Sequence, residues 1–151
     1  MTVATTRANR EWPLLALRLV VGYGFLAHGL AKAAKGPAGF ARLLHVIGVP
    51  FPVVTAWAVM LLEIFGGIAL LLGLFIALAS VPLIASMIVA MFTIHWRNGF
   101  SAINTIGLTP TGPVFGPPGY EINLLYVTAL LVLAMLGPGP LALRLPPSRH
   151  A

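Results

Sequence analysis

The sequence lacks cysteine and aspartate, and it contains little charge of either sign. Without cysteine, the chain itself has no thiol–disulfide chemistry, no thiolate metal site and no cysteine-held iron–sulfur cluster. Only 8% of its 151 residues are charged, whereas 59% are hydrophobic. Because soluble domains carry roughly 25% charged residues, this composition indicates an integral membrane protein.

The little charge that is present is mostly positive. The formal net charge is +6, with nine Lys and Arg against three acidic residues. In a soluble protein this excess would suggest a nucleic-acid partner, but here the basic residues mostly flank apolar runs, where they meet anionic lipid head groups. The sequence contains no DNA- or RNA-binding pattern. We therefore expect the lipid bilayer as a partner and no nucleic acid.

The apolar runs predict a bundle of four transmembrane helices. They cover about residues 14–34, 52–74, 75–95 and 120–136. Residues 37–47 repeat apolar side chains at helical spacing, which predicts a short amphipathic helix in the plane of the lipid head groups. Residues 96–119 are rich in Gly and Pro and predict a loop without periodic structure, folded over the membrane face as a lid. The predicted fold class is an all-α membrane protein with a single domain, residues 1–151.

The ends of the chain set its predicted topology. Residues 1–12 predict a polar tail, and Pro13 suits the first turn of a helix. Arg18 interrupts the first apolar run, so we interpret that run as a retained helix and not as a signal peptide. Four spans place both termini on the same side of the membrane. The basic residues divide evenly between the two sides, and we favour cytoplasmic termini.

Glu63 lies near the middle of the second predicted span, where no water solvates its carboxylate. An acidic residue at the centre of a span costs roughly 2.5–3.5 kcal/mol on insertion scales. Glu63 must therefore face a partner, a cavity or another helix, or be protonated. Gly66 and Gly67 follow on the same helix face and would let another backbone approach closely.

One face of the first helix carries small and polar residues. Its members are separated by alternating steps of four and three: Arg18, Gly22, Phe25, Gly29 and Lys32. This is the spacing of a helix seam. We expect this face to pack against another helix and not against lipid.

Depth along the helices, at about 1.5 Å per residue, predicts an inner polar cluster. It joins Glu63 with His28 and, at longer reach, with Arg18. A buried acid beside a histidine would serve proton transfer or hold the polar head of a ligand. The alternative is an ion pair or hydrogen bond that only fixes the register of the helices. Both interpretations stay open.

An outer cluster is predicted near the far membrane surface, beneath the 96–119 loop. It joins Glu121 with Lys32, Arg97 and His95. Glu121 opens the fourth helix, where a carboxylate favours the positive end of the helix dipole. An ion pair with Lys32 would then explain its presence structurally.

The sequence offers few other chemical sites. Tyr23, Trp57 and Tyr126 would either line a quinone or lipid cavity or serve as ordinary packing and interface anchors. The depths of His28 and His95 differ by about 9 Å, too much for the two axial ligands of one haem. No set of His and carboxylates has metal-ligand spacing, and there is no catalytic triad, phosphate loop or dinucleotide fingerprint.

The order of these motifs resembles the DoxX family of small four-helix membrane proteins. The matching residues are Arg18-Leu19, Gly22, His28-Gly29, Lys32, Glu63, Gly66-Gly67, Leu70–Gly73, Asn98-Gly99-Phe100, Glu121 and Gly137-Pro138-Gly139. They cover about residues 14–140. The resemblance implies a bundle in a bacterial inner membrane and an association with redox biology. Related proteins look like the quinone-linked small subunit of a thiosulfate oxidoreductase or like partners in oxidative-stress complexes.

The leading hypothesis is a membrane subunit of an oxidoreductase complex that binds quinone, or another apolar small molecule, between the first, second and fourth helices. The candidate residues for ligand binding or proton relay are Glu63, His28, Arg18, Lys32, Glu121 and Tyr23. No catalytic residue is assigned, so a redox protein partner would supply the electrons, and a homo-oligomer is also open. The alternatives are a non-catalytic scaffold or assembly subunit and a transporter of small molecules or protons.

Overall fold

The computed structural model describes residues 2–143, with side chains from Glu11 onward. Its α-helices are α1 (Thr2–Lys35), α2 (Pro37–Val46), α3 (Pro52–Leu72), α4 (Ile76–Ala90) and α5 (Glu121–Leu136). The helix of α4 continues as a π-helical turn, Met91–His95, and a 3-10 turn, Trp96–Asn98. An antiparallel hairpin of β1 (Thr105–Thr109) and β2 (Gly112–Phe115) precedes α5. Residues 1 and 144–151 of the predicted domain lie outside the described residues.

Three of the described helical segments are long and apolar enough to cross a membrane, namely Glu11–Lys35, Pro52–Leu72 and Ile76–Asn98. The fourth, α5, is apolar but has only 16 residues, or about 24 Å at 1.5 Å per residue. Outward-facing side chains on the three long helices are apolar and exposed, such as Val20, Val54 and Leu78. They are suited to lipid, and the prediction of an all-α membrane protein is confirmed.

Glycines bring α1 and α3 into close contact. Gly22 and Gly29 on α1 face the backbone of α3, and Gly67 on α3 faces the backbone of α1. A Cβ added to Gly67 would lie 2.6 Å from the backbone nitrogen of Leu26, so only glycine allows this approach. Gly66 faces α4 instead. The predicted packing face of α1 is confirmed at Gly22 and Gly29, and that of α3 at Gly67, whereas Gly66 packs against the Leu83 side chain.

The apolar core lies among α1, α3, α4 and α5. Its buried members are Val21, Phe25, Leu70, Ile76, Leu83, Leu130 and Leu133. A smaller cluster joins α2 to the start of α3 through Ala41, Leu44 and Ala56. The predicted amphipathic helix therefore exists, and one of its faces is covered by protein.

The helix α1 begins earlier than predicted. It starts at Thr2 and runs through Pro13, so residues 2–12 are helical and not a tail. Alanine, arginine and glutamate, which favour helices, make up five of the eleven residues of this stretch. Pro13 predicts a helix start, but α1 runs through it, although an interior proline removes one backbone hydrogen bond.

The prediction of a loop without periodic structure over 96–119 was wrong for its middle. Ile106, Leu108 and Val114 belong to the hairpin, in which Thr109 pairs with Gly112 across a tight turn. β-Branched and aromatic residues favour strands, and the Pro-Thr between the two strands favours the turn. The density of Gly and Pro concealed this short alternating pattern.

Candidate functional site

A cavity of about 440 Å³ lies between α1, α2, α3, the C-terminal half of α4 and α5. Its lining is mainly apolar and includes Phe25, Val59, Ile94 and Ile122. The polar side chains with ionisable or amide groups that line it are His28, Lys32, Glu63, His95, Asn123 and Tyr126. A mostly apolar cavity with a few converging polar groups is typical of a small-molecule site.

An ion pair between Lys32 of α1 and Glu63 of α3 lies in the wall of this cavity. The Nζ atom of Lys32 donates to both carboxylate oxygens of Glu63. The Glu63 side chain is 4% exposed and the Lys32 side chain 24%. The same ammonium lies 5.1 Å from the centroid of the Phe40 ring, within cation–π range. Lys32 thus neutralises the carboxylate that the second predicted span buries.

The assignment of Lys32 to Glu121 was wrong, and the reasons are the register of α1 against α3 and the direction of the side chains. Residues 22 and 29 of α1 face residues 71 and 64 of α3, so the two helices are antiparallel. Side chains tilt towards the N-terminus of their own helix. Lys32 and Glu63 therefore tilt towards each other, and the four-carbon lysine stem covers the remaining depth. The same residue pairs place Lys32 level with about residue 61 of α3, close to Glu63. Depths counted from the predicted helix ends gave the two helices a different register.

His28 lines the same cavity as Glu63, although the hydrogen-bond partner of Glu63 is Lys32. His95, which was predicted in the outer cluster, also lines the cavity. The π-helical turn at the end of α4 carries His95, and such turns are frequent at functional sites. The two predicted clusters therefore contribute to one cavity.

Arg18 lies at the other end of the bundle and does not reach Glu63. Its side chain is buried, and its guanidinium donates to the carbonyl oxygens of Pro138, at 3.0 Å, and Leu141, at 3.4 Å. Both carbonyls follow the end of α5 at Leu136. Arg18 therefore ties the chain beyond α5 to α1, and its predicted link to Glu63 is not observed.

Glu121 and Tyr23 also lie away from the cavity lining. Glu121 opens α5 as predicted, and its Oε2 accepts a hydrogen bond from the Ala102 N–H at 2.8 Å. This bond ties the segment before the hairpin to the start of α5. Tyr23 is 68% exposed on the outside of α1. Of the candidate residues, the structure brings together His28, Lys32 and Glu63 and leaves out Arg18, Glu121 and Tyr23.

Asn123 was not among the predicted residues. It lies in the first turns of α5, is 3% exposed and lines the cavity. Its Nδ2 donates to the Met87 carbonyl oxygen at 3.3 Å, whereas its Oδ1 accepts no hydrogen bond within residues 11–143. An amide in an otherwise apolar span is a signal that the sequence does carry, because a buried polar group in a membrane needs a partner.

The fold and the cavity define a multi-span helical membrane protein. Comparison with known families gives a match to DoxX over residues 13–96. This range includes His28, Lys32, Glu63 and His95, but not Asn123. Because the match covers more than half of the chain, the protein belongs to the DoxX family, as the resemblance predicted.

A relative in Haemophilus influenzae is 32% identical over 136 residues, which cover 89% of this chain and 90% of the relative. That relative is described as an uncharacterized protein. No solved structure gives a significant match to this chain. The comparisons thus support the family and the membrane location without naming a function.

Proposed function

We propose that this protein binds quinone, or another small apolar molecule with a polar head, as an integral membrane subunit of an oxidoreductase complex. The observation that carries the proposal is the Lys32–Glu63 ion pair in the wall of an otherwise apolar cavity. The cavity volume of about 440 Å³ falls within the range of roughly 300–1,000 Å³ that is usual for small ligands.

Apolar and polar residues of the lining would contact different parts of the ligand. Apolar side chains such as Phe25 and Ile122 would contact the ring and tail of the ligand, whereas Glu63, Lys32 and His28 would contact its head or relay a proton. The redox part of the proposal is supported by the resemblance of the family to quinone-linked subunits. Because the chain contains no cysteine, we assign the electron supply to a partner protein. A bacterial inner membrane and cytoplasmic termini belong to the same proposal.

The test is the quinone content of the purified protein. Wild-type protein is isolated in native-lipid nanodiscs, and quinone is extracted and measured per mole of protein. Glu63→Gln keeps the size of the side chain but removes the charge that holds Lys32, so we expect the content to fall about tenfold, the loss of one charge-assisted hydrogen bond. Tyr23→Phe, on the outside of α1, is the control and should retain quinone. Unchanged content in Glu63→Gln would count heavily against the proposal.

A scaffold or assembly subunit is the second candidate, favoured by the hairpin. Ile106, Leu108 and Phe115 expose 64%, 83% and 62% of their surface there, and exposed apolar clusters often mark contacts with proteins. A scaffold would co-purify with an oxidoreductase in both wild type and Glu63→Gln, but not after replacement of these hairpin residues by Ser. It would do so without retaining quinone.

A further inference from the structure

We propose that the cavity prefers a ligand that donates hydrogen bonds, which within the quinone class is the reduced quinol and not the quinone. The identity of the ligand class rests on the proposed function, and the preference for the reduced form rests on the hydrogen bonds of the lining. A quinol head has two O–H donors, whereas the carbonyl groups of a quinone only accept. The lining offers open acceptors, while most of its donors are already engaged.

Asn123 gives the strongest acceptor. The Met87 carbonyl oxygen can only accept, so the amide of Asn123 must turn its NH₂ group towards it. The Met87 sulfur, at 3.9 Å from the same Nδ2, engages the remaining donor side. The Asn123 side chain is 3% exposed, and its Oδ1 has no partner within residues 11–143. A buried amide oxygen is costly to leave unpaired. Because Oδ1 has almost no accessible surface, a ligand hydroxyl would reach it after a rotation of the Asn123 side chain towards the cavity.

His95 gives a second acceptor. Its Nδ1 lies 3.0 Å from the Pro118 carbonyl oxygen, which also accepts from Asn98 Nδ2 at 3.1 Å. A carbonyl cannot donate, so Nδ1 of His95 carries the proton. In the neutral ring Nε2 is then an acceptor. His95 lines the same cavity as Asn123.

The hydroxyl groups of the lining also favour a donor on the ligand. Three of them donate their protons to backbone carbonyls of their own segment, which leaves their oxygens free only to accept. The bonds run from Thr55 to Pro50 at 3.1 Å, from Ser86 to Leu83 at 2.8 Å and from Thr93 to Val89 at 2.8 Å.

Lys32 is the strongest donor of the lining, and it is also engaged. Its ammonium donates to both oxygens of Glu63 and lies over the Phe40 ring. Tyr126 and His28 also line the cavity, and each offers one donor and at least one acceptor, so these two residues favour neither form of the ligand. The balance of the lining therefore favours a donor on the ligand.

The test compares three probes on the wild-type protein in nanodiscs. They are a decyl-substituted benzoquinol held under anaerobic reducing conditions, the corresponding quinone, which is close to it in size, and the dimethyl ether of the quinol, which keeps the ring and tail but has two added methyl groups and no donor. We expect the quinol to bind about tenfold more tightly than either of the others, the gain of one or two satisfied hydrogen bonds. Asn123→Leu should remove most of this preference, whereas Thr128→Leu, on the exposed side of the same helix, should keep it.

The outcomes separate the two proposals. If the quinone or the ether binds as tightly as the quinol, the preference for a donor is refuted and the proposed function stands. If none of the three probes binds to the wild type, both proposals fail. The comparison of the three probes on the wild type tests the preference for a donor even if Asn123→Leu does not fold. If that variant folds and keeps the full preference, the role assigned to Asn123 is refuted.

Discussion

Lys32→Met should destabilise the protein strongly, because it leaves the Glu63 carboxylate buried without its cation. The Glu63 side chain is only 4% exposed, so water cannot replace the ammonium. Methionine keeps an unbranched apolar side chain that is one heavy atom shorter than lysine. The substitution therefore removes the charge and the hydrogen bonds with little change in volume.

The magnitude follows from the burial of the pair. Removing one partner of a buried ion pair costs roughly 3–5 kcal/mol. Because the Lys32 side chain is 24% exposed, we expect a value at the lower end, about 3 kcal/mol. The double variant Lys32→Met/Glu63→Gln has neither charge, and it should recover most of this loss. The coupling energy between the two positions should therefore exceed about 1.5 kcal/mol.

The assay is equilibrium unfolding of the four members of this double-mutant cycle in detergent micelles. Lys35→Met is the matched control, since Lys35 is exposed in the last turn of α1 and should change the free energy of unfolding by less than about 0.5 kcal/mol. A Lys32→Met variant as stable as Lys35→Met would refute the assignment of the pair. A double variant no more stable than Lys32→Met would refute the reasoning about the stranded carboxylate.

Three further substitutions probe the packing around the site. Arg18→Met removes the bonds to the carbonyls after α5, so we expect a loss of about 2 kcal/mol and faster proteolysis of that segment by mass spectrometry; unchanged cleavage would contradict it. Gly67→Leu should cost more than about 2 kcal/mol by forcing α1 and α3 apart, whereas Gly107→Ala, where a Cβ meets nothing within 4 Å, should leave the melting temperature unchanged. Glu121→Leu frees the Ala102 N–H, so its hydrogen exchange should accelerate, and equal protection would show that the bond is unimportant.

Much of the fold could be predicted because the membrane imposes simple rules on a sequence. Long apolar runs predicted the membrane-spanning helices. The positions of Gly22, Gly29 and Gly67 predicted the faces on which α1 and α3 pack together. The hairpin was missed because its strands are short and its pairing depends on contacts between residues, not on a long periodic run. The early start of α1 was missed because Pro13 favours the first turn of a helix and disfavours a helix interior.

The site was predicted only in part. Because a buried Glu63 is costly, the sequence predicted that it faces a partner, a cavity or another helix, and it predicted His28 in the same cluster. The partner was misassigned because depths counted from the predicted helix ends gave the wrong register between α1 and α3 and ignored the tilt and length of the Lys32 side chain. Asn123 was missed because it is neutral, and its importance depends on a hydrogen bond to another helix that the sequence does not reveal.

The most direct measurement is an electron cryo-microscopy map of the protein purified with its native partners and lipids. We expect density for a small molecule in the cavity, with its head beside Asn123 and the Lys32–Glu63 pair and its apolar part along Phe25 and Ile122. A well-resolved cavity that contains only water, or that neighbouring side chains fill, would contradict the proposed ligand-binding role.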